Sequence, residues 1–85
     1  MNKELIFLDT LKIKRFGNYI LVLQVYGEYN EKEIIKDVFN VSFEYEIDNF
    51  SSTLDIFETY NEDEAIKFFN MLVEKIKITN GIEEI

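Results

Sequence analysis

The 85-residue chain contains no cysteine, histidine, proline or tryptophan, and only three glycines. Without cysteine there is no disulfide staple, no thiolate metal site and no thiol nucleophile, which suits a reducing compartment. Without histidine the commonest general base and metal ligand are gone, so Ser-His-Asp and Cys-His catalysis is impossible. Ser42, Ser51 and Ser52 have no lysine at a Ser-x-x-Lys spacing to activate them. Gly17, Gly27 and Gly81 are too scattered to cradle a phosphate or form a dinucleotide fingerprint. These gaps predict a protein that is not an enzyme and carries no cofactor.

Positive charge is also scarce, with 9 Lys+Arg against 17 Asp+Glu for a net charge of −8. Such a balance repels nucleic acid and anionic membranes and favours a basic partner. No apolar run approaches the roughly 18 residues of a membrane span. The opening Met1-Asn2-Lys3-Glu4 leads into a strand-like pattern with no small-residue cleavage site. The expected location is the cytoplasm.

A hydrophobic fraction of 47% with eight Phe and five Tyr is enough to fold, and the length allows one domain over residues 1–85. A chain this short buries only about two-thirds of its unfolded surface, so self-association would add useful stability. The expected class is α+β: an antiparallel sheet of about four strands, in two hairpins, against a C-terminal amphipathic helix.

Lys12 to Tyr26 reads as the first hairpin, because β-branched and aromatic runs flank Gly17-Asn18, a pair suited to positive φ in a two-residue turn. That turn pairs Phe16 with Tyr19. It puts Leu11, Ile13, Ile20 and Val22 on one face and Leu8, Phe16, Tyr19, Leu21, Leu23 and Val25 on the other. Both faces are apolar, so cover is expected on both, from a second helix or another chain. In the second hairpin Val41, Phe43, Tyr45 and Ile47 point inward and Ser42, Glu44 and Glu46 outward. A turn over residues 48–52 then leads to a return strand from Thr53 to Thr59.

Asn61-Glu62-Asp63-Glu64 is a helix start, with Asn61 as N-cap, Glu64 as capping-box partner and acids at the positive end of the helix dipole. The helix should reach about Lys77 on a stripe of Ala65, Phe68, Phe69, Leu72, Val73 and Ile76. Tyr29 to Lys36 repeats Tyr60 to Lys67 at six of eight positions. This suggests two ββα units with a short helix near 31–39, buried through Ile34, Ile35, Val38 and Phe39. The other reading is one long strand from Glu33 to Ile47; the doublet Ile34-Ile35, which breaks strand alternation, favours the helix.

Residues 28–66 carry twelve acids against Lys32 and Lys36, so the whole excess charge lies there. Glu44, Glu46 and Asp48 would stand about 6.6 Å apart along one strand face. Two carboxylates at that spacing can approach a cation, but no stretch supplies a calcium loop, and no metal site is expected. The acids read instead as a ladder offered to a basic groove. Asp55 or Glu58 on the neighbouring strand and Glu62, Asp63 and Glu64 at the helix start would extend the patch, with Tyr29, Tyr45, Tyr60 or Phe50 as candidate aromatic anchors.

Small size, acidity, heavy use of Ile, Asn, Lys and Glu, and the segment from Phe57 to Lys67 resemble small acidic phage proteins of the anti-CRISPR and nucleic-acid-mimic kind. The resemblance is one of type and carries no shared motif. It implies a partner such as a CRISPR effector nuclease, met in the host cytoplasm, whose nucleic-acid-binding surface the protein occupies. The alternative is a non-catalytic structural module that dimerises through its apolar N-terminal hairpin.

Overall fold

β-Branched and aromatic residues dominate four long stretches, and each becomes a strand. The computed structural model describes residues 4–30 and 33–80. Strands β1 (Glu4–Phe16), β2 (Tyr19–Asn30), β3 (Glu33–Ile47) and β4 (Phe50–Thr59) form an antiparallel meander in the order β1-β2-β3-β4, followed by helix α1 (Glu62–Asn80). The α+β architecture of one sheet and one C-terminal helix is therefore present.

The short helix near 31–39 is not: residues 33–39 belong to β3, and Glu31 and Lys32 lie outside the described residues. The Ile34-Ile35 doublet is accommodated in the strand by a change of register, since Glu28 pairs with Lys36 but Tyr29 with Ile34, leaving Ile35 as an extra residue. A bulge thus resolves the broken alternation that pointed to a helix.

Both tight turns place positive φ on their first central residue alone, Gly17 at 62° and Asp48 at 51°. This φ pattern matches a type II′ turn, which suits the twist of the flanking strands. Phe16 pairs with Tyr19 as expected, and the register holds back to Lys12 opposite Leu23. Beyond that point two bulges intervene, leaving Leu11 and Leu8 as extra residues. They shift the alternation of β1, so the expected grouping of Leu11 with Ile13, and of Leu8 with Phe16, does not follow a simple two-residue period. The second hairpin turns at Asp48-Asn49, with Ile47 opposite Phe50, so β4 begins three residues earlier than Thr53.

The helix lies against β2, β3 and β4. Its Ala65 and Phe69 join Phe16, Leu21, Leu23, Val25, Phe39 and Val41 in the buried core. Phe43, Ile56, Phe57, Phe68, Leu72, Val73 and Ile76 pack around it. A bulge in β4 leaves Ile56 extra, between Phe57 opposite Val41 and Asp55 opposite Ser42. Consecutive Ile56 and Phe57 thereby both serve the helix side, and the Phe57 ring stacks on Phe68 at 4.3 Å.

Asn61 caps α1: its Oδ1 accepts from the Glu64 amide at 3.0 Å, and its carbonyl from Ala65 at 3.1 Å. The reciprocal half of the expected capping box is replaced, because the Asn61 amide donates to Thr59 Oγ1 at 3.1 Å. A threonine at the strand exit does the work expected of Glu64.

Candidate functional site

Among the described residues no second helix lies on the other face of the sheet, so of the two expected covers, a second helix or another chain, the helix is not there. Strand pairing fixes what this open face displays. β2 contributes Ile20, Val22, Gln24, Tyr26 and Glu28, opposite Glu44, Ser42, Asn40, Val38 and Lys36 of β3. β1 adds Arg15, Ile13, Thr10, Phe7 and Leu5 at one side, and β4 adds Ser51, Thr53, Asp55 and Glu58 at the other. Ile20, Val22 and Val38 are nevertheless buried.

The face therefore grades from apolar and basic on β1 to acidic on β3 and β4. Leu5, Phe7 and Ile13 are 46%, 51% and 63% exposed, while Glu44, Glu46, Asp55 and Glu58 stand across the sheet from them. The pairs Glu44–Thr53, Glu46–Ser51, Ser42–Asp55 and Asn40–Glu58 place these four acids along the β3–β4 ladder. The structure brings together this part of the expected patch.

Other members are dispersed. Asp48 sits at the tip of the hairpin turn. Glu62 and Asp63 occupy the first turn of α1, at the far end of the ten-residue β4, roughly 30 Å from that tip along the strand. The acids form a band running beside β4. Tyr45 lies on the helix side, its ring 4.8 Å from Tyr19 and half-buried. Tyr60 is half-exposed; its hydroxyl donates to Glu28 Oε1 at 2.9 Å, and Lys36 Nζ lies 4.1 Å from its ring centroid.

The open face also contains a recess of about 220 Å³ lined by Leu5, Tyr26, Asn40, Asp55 and Glu58. Sequence reading singled out neither Leu5 nor Asn40. The available signal was the placement of Asn40 inside the run Val38-Phe39-Asn40-Val41, where a polar side chain interrupts an otherwise apolar strand. Among the described residues no three metal-capable side chains gather into a cation site, and no helix is long and apolar enough to cross a membrane. Comparison with protein families, curated proteins and solved structures finds no significant match.

Proposed function

We propose that the protein is a non-catalytic binding protein whose acidic β3–β4 face docks on a basic protein surface. In the form suggested by its size and charge, the partner is a nucleic-acid-binding enzyme such as a CRISPR effector nuclease, inhibited because its nucleic-acid channel is occupied. The observation that carries this reading is the alignment of Glu44, Glu46, Asp55 and Glu58 on a sheet face that no described element covers. A polyanion channel lined with lysine and arginine is complementary to such a row, and the attraction should speed encounter at low salt.

Competition between the protein and a labelled duplex for purified effector nucleases, followed by fluorescence anisotropy at low and high salt, tests the reading. Displacement should be lost when all four acids become their amides. Displacement that survives this substitution, or none by the native chain from any nuclease tried, sinks it.

A second reading is favoured by a different observation: Leu5, Phe7 and Ile13 expose apolar surface along one side of the same face. Exposed apolar patches mark contact surfaces, and two copies packed through this side would bury them.

A further inference from the structure

The recess on the open face has two unlike walls. Leu5 and the ring of Tyr26 supply apolar surface from β1 and β2, while Asp55 and Glu58 supply carboxylates from β4. The Tyr26 hydroxyl is engaged by Gln24 Oε1 at 3.0 Å, leaving the ring as that residue's contribution. Between the walls lies Asn40, whose residue is only 8% exposed. Among the described residues no buried side-chain nitrogen or oxygen is left without a partner. Asn40 lines the recess between the two walls. A carboxamide in that position offers an oxygen that accepts and an NH₂ that donates.

We infer that the recess receives one lysine or arginine side chain from the basic partner. The methylene stem packs between Leu5 and the Tyr26 ring. The cationic head meets the Asp55 and Glu58 carboxylates and donates to Asn40 Oδ1. A long side chain with an apolar stem and a charged tip matches both walls together. An apolar side chain would leave the acids and the amide unsatisfied, an anion would be repelled, and a bare metal ion would make no use of Leu5 and Tyr26. The inference rests on the proposed docking to a basic partner and names the contact that anchors it.

The test is a two-dimensional ¹H–¹⁵N NMR titration of the full chain with acetylated, amidated pentalysine, against the same peptide with every lysine acetylated. Saturable shifts are expected at Leu5, Tyr26, Asn40, Asp55 and Glu58, including the Asn40 side-chain amide protons, and none with the neutral peptide. Asp55→Asn with Glu58→Gln should weaken binding about tenfold, whereas Glu62→Gln with Asp63→Asn should change it less than about twofold. Asn40→Ser, whose unbound spectrum reports that the fold is kept, should also weaken it. Equal weakening by the two acid pairs, or shifts spread along the whole acidic band, would overturn the recess and leave the wider acidic-face reading standing. Absence of saturable shifts overturns the recess as well. Failure of the docking reading is recorded separately, in the nuclease competition.

Discussion

The hydroxyl of Tyr60 donates a 2.9 Å hydrogen bond to Oε1 of Glu28, tying the exit of β4 to β2 across the intervening β3. Glu28 is 6% exposed, so the bond satisfies a polar group well inside the sheet surface. It also fixes the chain just before Asn61 caps the helix. Tyr60→Phe should therefore cost about 0.5 to 1.5 kcal/mol, the usual net worth of one intramolecular hydrogen bond. The ring stays in place beside Lys36, so the loss belongs to the hydroxyl. Urea unfolding measures it, and an unchanged midpoint would show that the bond holds nothing.

Removal of the helix cap should act at the same junction. Asn61→Ala strips the acceptor of the Glu64 amide and should destabilise by about 1 kcal/mol. Asn61→Asp retains an acceptor and should stay near wild type. Thermal unfolding followed by far-UV circular dichroism separates the two variants.

The turns make opposite predictions. No atom lies within 4 Å of a Cβ built on Gly17, but its φ of 62° is one that L side chains rarely adopt. Gly17→Ala should cost about 1 to 2 kcal/mol through backbone conformation alone. Asp48 already bears that conformation as a non-glycine residue, so Asp48→Gly should leave the urea midpoint unchanged or raise it. A loss as large as that of Gly17→Ala would mean that the Asp48 side chain supports the turn.

Self-association through the apolar side of β1 is accessible to sedimentation velocity across a concentration series. The native chain should gain mass as concentration rises, and Ile13→Lys, at a site 63% exposed, should reduce the gain. Its own unfolding free energy should change by less than about 0.5 kcal/mol, as expected for an exposed position. A chain that stays monomeric throughout excludes this reading.

The sequence carried the phase of the second hairpin and of the helix: alternating polar residues between Val41 and Ile47 mark the strand, although Ser42 is buried and Ile47 is 43% exposed, and Ala65 and Phe69 mark the helix. It failed where an apolar residue was followed by another. The doublet Ile34-Ile35 and the run Leu5-Ile6-Phe7-Leu8 give no phase, so bulges at Ile35 and Leu8 left no periodic trace, while the bulge at Leu11 falls within the alternating stretch Thr10-Leu11-Lys12-Ile13 that reads as regular strand. The repeated words Tyr29-Asn30 and Tyr60-Asn61 diverged through context, one ending a strand and the other capping a helix. For the site, the acids were legible as a charged row along the chain. Which of them share a face depended on the β3–β4 register, and that separated Glu62 and Asp63 from Glu44 and Glu46.

The bulges at Leu8 and Leu11 also affect what the outer rim of β1 can recruit. Among the described residues no strand pairs with the outer rim of β1, and a rim of thirteen residues rich in leucine and isoleucine would ordinarily serve as a template on which further chains could add strand by strand. Here a docking strand would have to reproduce two out-of-step positions within four residues to stay in hydrogen-bonding phase. The chain carries a greasy strand at its margin, and its irregular backbone discourages fibrous growth from it.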